Sequence, residues 1–324
     1  WLVKYYPLVM FRAAMLGLVR PSHLMNHRAR FMSSLGVLDN RSGLVLIGIP
    51  PGGLVELIDV MPQTGSCDAR IASSARVSYS RDGAAPKPAD AAKDAQLINY
   101  LMRHRHTSPF EMVEFMFRIK MTIAAARQMV RHRTASINEV SLRYTEASCE
   151  FGLPDEFHYG YGASKQSSGD TVHPISASLV RLAQDAVEDA RDTYNSLLAS
   201  GVPREEARAV LPVAQYTEFI WKCDLHNIMH FLKLRMDHTA QSEIRHVAGA
   251  IYDLVKLRAP ATIAAWENHV LNAVTFSAAE RQICNENPII GPTHLAGLSP
   301  GERVEFASKI KKMGFEMHLF GGDC

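Results

Sequence analysis

Between Val113 and Lys120 the chain alternates without interruption. Val113, Phe115, Phe117 and Ile119 fall on one side and Glu114, Met116, Arg118 and Lys120 on the other, the repeat of a strand that buries one face. From Thr122 the repeat changes. Ile123-Ala124-Ala125-Ala126-Arg127-Gln128-Met129-Val130 reads as a compact helix whose alanines let it approach a sheet closely. The next stretch obeys neither period: Arg131 to Tyr144 carries three arginines, a histidine, a glutamate, two serines and an asparagine, with little to bury. A strand and a helix therefore deliver a dense polar segment out of an ordered core. Arginine presents a planar, permanently charged fork that matches phosphate bidentately, so arginines gathered at one locus predict a phosphorylated or otherwise anionic small molecule. A solvated basic turn has no need to interleave Arg131, Arg133 and Arg143 with Ser136, Asn138, Glu139 and Ser141. That mixture suits the reading of a nucleotide.

The pattern R-H-R-x-x-S-x-N-E-x-S-x-R-Y, here Arg131 to Tyr144, resembles the signature of the flavin-dependent thymidylate synthases at every fixed position. The resemblance runs from about Val55 to about Trp266. It implies reductive methylation of dUMP to dTMP, with methylenetetrahydrofolate as carbon donor, FAD as hydride source and NADPH to re-reduce it. It also implies a homotetramer whose active sites draw on several subunits. Carried over residue by residue, it assigns dUMP to Gln128, Met129, Val130, Arg131, Glu139, Val140, Ser141, Leu142 and Arg143, with Ser141 and Arg143 suited to the phosphate. Arg208 and Arg235 match two remote arginines, and Arg235 is the catalytic one, polarising the uracil as a fixed electrostatic donor. FAD is assigned to Ser78, His106, Ser108, Arg131, His132, Arg133 and Glu139, and to Asp224, His226 and His230 of the segment Asp-Leu-His-Asn-Ile-Met-His, which departs from some members of the family. A carboxylate beside a pyrophosphate is repulsive, so Asp224 either contacts FAD or caps the helix it precedes. No protein nucleophile is implied: Ser141 reads as a binding hydroxyl, and Cys149 as a small buried hydrophobe.

Residues 1–53 read as an N-terminal extension, 54–276 as the catalytic domain and 277–324 as a C-terminal extension. Residues 1–38 carry Lys4, Arg12, Arg20, Arg28 and Arg30 and no acidic side chain. That is the character of an organelle transit segment or of a poorly ordered extension, and its apolar run is too short and too charged to span a bilayer. The short apolar run Gly43–Ile49 ends at Pro50-Pro51-Gly52-Gly53, and Leu54–Val60 alternates as a strand. Asp68–Ser78 and Asp94–His104 read as helices, 81–90 as a loop, and Ser108 as extended backbone held by Pro109. A mobile loop is expected over Phe151–Val172. Pro174–Ala199 is then an amphipathic helix with Leu179, Leu182, Ala183, Ala186, Val187, Ala190, Tyr194 and Leu197 as its stripe, ended by Gly201. Pro203 opens a short helix carrying Arg208. Asp224 precedes a helix Leu225–Arg235, and a further helix over 240–258 buries Ile244, Val247, Ala248, Ile251 and Val255. The helices 174–199 and 240–258 could form subunit interface or ordinary core. Past Ser277 the pattern is weak until Ser299-Pro300-Gly301-Glu302 starts a last helix ending near Gly314. The sum is α+β: a helix-rich single catalytic domain with a small, largely antiparallel sheet.

Composition narrows the partners. A net charge of +2 over 324 residues provides no sequence-wide field for nucleic acid, so the anion site is local. Cys67, Cys149, Cys223, Cys284 and Cys324 are scattered without a C-x-x-C, which fits a reducing compartment and neither a zinc nor a disulfide framework. His226 and His230 have the spacing of two metal ligands on a helix, but the segment lacks the glutamate of H-E-x-x-H. The expectation is a cytoplasmic enzyme binding dUMP, folate and NADPH, with no metal, nucleic acid or membrane, and with organelle targeting left open by the extension.

Overall fold

The protein is described by a computed structural model over residues 45–49, 51–79, 90–160, 168–286 and 292–313. The expectations placed on residues 1–38, on most of the 81–90 loop and on the chain end past Gly314 fall outside these residues. The alternating segment is the strand β3 (Glu114–Thr122), and it lies at the middle of a five-stranded sheet of order β1-β2-β3-β7-β4. The others are β1 (Val45–Ile49), β2 (Gly53–Met61), β4 (Ser136–Glu139) and β7 (Tyr216–Asp224), all paired antiparallel. Phe115, Phe117 and Ile119 are fully buried, while Glu114, Met116, Arg118 and Lys120 are half-buried on the other face. In that second row Arg118 lies between Glu56 of β2 and Glu218 of β7, pairing with both carboxylates.

The helices, in chain order, are α1 (Cys67–Arg76), α2 (Ala91–Arg103), α3 (Ile123–Met129), α4 (Ser176–Ala199), α5 (Arg204–Ala207), α6 (Leu225–Arg235), α7 (Ser242–Arg258), α8 (Pro260–Trp266), α9 (Ala278–Glu286) and α10 (Pro300–Lys312). Several obey local rules directly. Asp224 ends β7 and caps α6, its Oδ1 accepting from the Asn227 amide at 2.9 Å and its Oδ2 from the Asn227 side chain at 2.8 Å. Gly201, at φ +84°, closes α4 in a Schellman arrangement: Val202 N–H donates to Leu197 O and Gly201 N–H to Leu198 O. Ile244, Val247, Ala248, Ile251 and Val255 of α7 are all fully buried, and α7 packs on β1, β2, α3 and α6. On the apolar face of the sheet, Trp221 stacks on Phe117 at 6.0 Å and meets Phe231 of α6 at 5.5 Å.

Elsewhere the structure differs from the sequence reading. Val45–Ile49, read as part of the extension, is an edge strand registered on β2 from Val45↔Leu57 to Ile49↔Gly53. β7 was not anticipated, nor was β4 inside the polar motif. Phe151–Val172, expected as a loop, contains the hairpin strands β5 (His158–Gly160) and β6 (Ser168–Val172). Ser108 is not extended: Ser108–Met112 is a 3₁₀ turn, because Pro109 falls in its first turn, where no N–H is needed, and Phe110 is buried below it. In α4 the expected stripe is mostly half-buried: among its apolar residues only Tyr194 is buried, and Leu182 is 66% exposed.

The chain divides into two compact units, residues 1–261 and 262–324, where the sequence suggested a change at 277. The second unit has its own small core of Leu295, Leu298, Phe306 and Ile310, with Phe276, Ile283 and Cys284 against it. Ser299 and Glu302 form a reciprocal capping box at α10. Ser277 and Glu280 do the same at α9, a helix with no strong sequence period, and Glu280 also pairs with Lys309 at 2.7 Å.

Phe115 fills the centre of the sheet's covered face, so Phe115→Ala should lower unfolding free energy by about 3–5 kcal/mol. Urea denaturation followed by fluorescence measures this, and a loss below ~1 kcal/mol would contradict the burial described here.

Candidate active site

The polar motif leaves α3 at Val130 and runs along the edge of the sheet. Its middle, Ser136–Glu139, is β4, paired with β7 from Ser136↔Lys222 to Glu139↔Phe219 and exposed at every residue. Strand pairing fixes the backbone while the side chains and the outer edge stay accessible. At one end Cys223 Sγ donates to Thr134 O at 3.3 Å, and at the other Val140 N–H donates to Glu218 O at 2.9 Å.

Beyond β4 the chain turns over a cleft of about 360 Å³, lined by Ile123, Glu139, Val140, Ser141, Leu142, Arg208, Tyr216 and Thr217. Four consecutive motif residues and the remote Arg208 therefore share one wall. Glu139 Oε1 accepts from Thr217 Oγ1 at 2.5 Å, which holds this carboxylate against β7. Glu205 links two arginines: its carboxylate accepts from Arg143 Nε at 3.1 Å and its carbonyl from Arg208 Nε at 3.3 Å. Ser141 Oγ accepts weakly from the Arg143 amide at 3.4 Å, closing the turn. Sequence reading missed Ile123, Tyr216 and Thr217 in this cleft, and Glu205, which bonds Arg143 and Arg208. The first stands one residue past β3, and Tyr216 and Thr217 open the unanticipated β7.

A second cluster forms where α6 ends beside α3. Arg235 donates from Nε to His132 Nε2 at 3.0 Å and from Nη2 to Gln128 O at 3.3 Å. The Gln128 amide in turn donates to Gln241 Oε1 ahead of α7. The His132 ring meets Phe231 edge-on at 5.0 Å and His230 at 5.9 Å. Burial, then the Arg235 charge and then His230 push the His132 pKa down to about 4, so it is neutral and free to accept from the guanidinium. Of the 128–131 stretch, Met129 is buried, Gln128 half-buried, and Val130 and Arg131 exposed. Arg235 is not among the residues lining the cleft that holds Arg208: within one chain the two remote arginines stand in separate groups.

The residues assigned to flavin do not form one group: Glu139 lies in the cleft already described, at the start of β7. Ser108 opens the 3₁₀ turn that packs against α6 and α1, and Leu225 N–H donates to Val113 O, which brings the start of α6 to the start of β3. His106 is exposed just before that turn, with its ring 6.0 Å from Tyr100 and 6.1 Å from His104. Arg131 and Arg133 are exposed and make no hydrogen bond or ion pair among the described residues. His226 and His230 stand on α6. Ser78 is exposed after α1, and no hydrogen bond among the described residues joins it to the others.

Residues 56–261 match the family model described as "Thymidylate synthase complementing protein". The chain is 46% identical over 239 residues, 74% of its length and 84% of the relative's, to a flavin-dependent thymidylate synthase of Thermus thermophilus. It is 40% identical over 263 residues to the enzyme of that name from Treponema denticola, spanning 94% of it. The chain belongs to the flavin-dependent thymidylate synthases. A crystal structure of a UMP/dUMP methylase from Streptomyces cacaoi, bound with 5-Br dUMP, superposes with a TM-score of 0.61 at 33% identity, over 68% of this chain and 97% of that one. As a flavin-dependent thymidylate synthase, the protein is a methyltransferase whose family name specifies a flavin. The donors present suit one: among the described residues Arg131 and Arg133 are exposed cations with no carboxylate partner, and His106 and Ser108 add accessible hydrogen-bonding groups. Asp224 does not suit direct contact with a pyrophosphate, since both its oxygens are committed to Asn227. Among the described residues, no helix is long and apolar enough to cross a membrane.

His132 carries a pH prediction. Its folded pKa, about 4, lies below the ordinary value of 6.5, so protonation favours the unfolded chain. The stability due to neutral His132 is complete above 6.5 and is lost as pH falls from 6.5 towards 4. In His132→Gln, thermal melts across that window should fall less steeply than in the parent, and parallel curves would refute the assignment.

Proposed function

We propose that this chain converts dUMP to dTMP, taking the carbon from methylenetetrahydrofolate. FAD, kept reduced by NADPH, would supply the hydride when bound. The observation that carries the reading is the cleft that joins Glu139–Leu142 to Arg208, within a chain of this family. Its basic end, with Arg208 on the wall, Arg143 beside it through Glu205, and the Ser141 hydroxyl, suits a phosphate dianion. Among the described residues Arg143 commits only its Nε, to Glu205, which leaves its Nη donors for a bidentate contact. Gln128 to Arg131 would complete the nucleotide contacts, and Arg235 would donate to the uracil, drawing charge to the ring and raising the nucleophilicity of its carbon. Ser78, His106, Ser108, Arg131, His132, Arg133, His226 and His230 would hold FAD, with Glu139 close by and Asp224 acting through the helix it caps. No protein nucleophile is required. In support, burial pushes the Cys149 thiol up from its ordinary value, away from thiolate character.

The same geometry supports an oligomer. Arg208 and Arg235 stand in separate groups of one chain, the arrangement expected where a second copy completes each site. The half-buried stripe of α4, with Leu182 exposed, offers a surface for such a contact, and we read the assembly as a homotetramer. Leu182→Glu should then shift sedimentation towards smaller species at micromolar concentration, and an unchanged tetramer would remove α4 from the interface.

The decisive assay is anaerobic. Flavin-loaded protein given NADPH, methylenetetrahydrofolate and dUMP should form dTMP, and Arg208→Ala should raise the KM for dUMP by about tenfold or more, the loss expected for one charge-assisted phosphate contact. A folded, flavin-loaded sample that forms no dTMP would overturn the reading.

A further inference from the structure

We propose that His132 is a positioning residue for Arg235: its Nε2, together with the Gln128 carbonyl, fixes the plane of the guanidinium so that the remaining donors face the nucleobase. This rests on the reading above that Arg235 acts on uracil, and it gives His132 a task separate from any contact with flavin.

A guanidinium has five N–H donors. Among the described residues two of Arg235's are committed, Nε to His132 Nε2 at 3.0 Å and one on Nη2 to Gln128 O at 3.3 Å, which leaves three for a ligand. The two bonds engage different nitrogens and come from different parts of the chain. Together they hold the group against rotation about its last side-chain bonds, which a single contact does not achieve. The acceptors are themselves anchored. Gln128 is tied through its side chain to Gln241, and His132 is wedged against Phe231 of the same helix that carries Arg235. The end of α3, the start of the motif and the last residue of α6 thus meet at one guanidinium.

The brace works only with an unprotonated Nε2, because an imidazolium would point a donor at a donor. The charged or titratable groups facing His132 are Arg235 and His230, both from α6, and its sequence neighbours Arg131 and Arg133 are cations too. Its surroundings favour the neutral ring throughout, and the bond to Arg235 selects the tautomer with the proton on Nδ1. A carboxylate in this place would also orient Arg235, but it would neutralise the charge that the reaction draws on. A neutral acceptor orients the guanidinium and leaves its full charge for the uracil.

The test compares His132→Leu, which keeps bulk and loses the acceptor, with His132→Gln, which can restore an acceptor through its amide oxygen. His132→Leu should lower kcat by about ten- to a hundredfold, the scale of a misplaced catalytic group, with KM for dUMP within about threefold of the parent. His132→Gln should recover most of that loss, with every rate taken per bound flavin, read from absorbance, so that weaker flavin binding is counted separately. Equal activity in Leu and Gln variants, or a loss that tracks lost flavin, would overturn the brace. Nitrogen-15 NMR of the histidines supplies a readout independent of turnover: His132 should show a bare Nε2 at neutral pH that shifts on Arg235→Lys. A proton on Nε2 would overturn the inference even if dTMP forms, whereas a bare Nε2 in a chain that forms none would sink the functional reading and leave the brace standing.

Discussion

The pairing of β3 with β7 is the constraint on which the rest depends. It runs in unbroken register from Glu114↔Asp224 to Thr122↔Tyr216. β3 hands on directly to α3, whose first turn is capped by the Thr122 hydroxyl, and α3 delivers the motif. β7 hands on at Asp224 to α6, which carries Arg235 at its far end. Because both handovers come from strands locked side by side, Gln128 and His132 on one path and Arg235 on the other arrive at one place. Their separation in sequence exceeds 100 residues, yet few rotatable links separate each from the sheet. β7 is also what β4 pairs with, so the same strand sets the depth of the cleft through Tyr216 and Thr217.

What could be read from the sequence was whatever the chain settles locally. The period of β3, the Asp224 cap, the Gly201 stop and the buried stripe of α7 each depend on neighbours within a few turns, and each stands where its residues place it. β7 had a signal as clear as that of β3: Tyr216, Glu218, Ile220 and Lys222 alternate with Thr217, Phe219, Trp221 and Cys223. The Ser277-Ala-Ala-Glu280 box at α9 was likewise present. β4 is a different case. Four exposed residues have no burial period to reveal, and their strand geometry comes from β7, some 80 positions away, which is tertiary context overriding local preference. The site divides along the same line. The motif and the two remote arginines were found as residue types, but their sorting into a cleft around Arg208 and a cluster around Arg235 is set by long-range pairing. The bridging role of Glu205 has no sequence signature at all.

That sorting also distinguishes two kinds of arginine by the company they keep. Arg143 pairs with Glu205 at the surface, both side chains about half exposed (53% and 52%). Such a pair contributes about 0–1 kcal/mol, because water solvates both ions well and ordering two long side chains costs entropy. A phosphate dianion bound as proposed, carrying more charge than one carboxylate and offering three acceptor oxygens, would compete for Arg143 at small cost. Arg235 is half-buried and bonded to two neutral acceptors, and leaving a buried donor unpaired costs about 1–3 kcal/mol. Among the described residues no carboxylate pairs with it, so in the proposed role its charge would be available to a ligand. The first arrangement suits capture of a ligand that must arrive and leave, and the second suits a donor that must not move while charge builds on a ring. Exchanging the two environments, a carboxylate at His132 and a neutral acceptor at Glu205, would weaken both tasks while conserving every arginine.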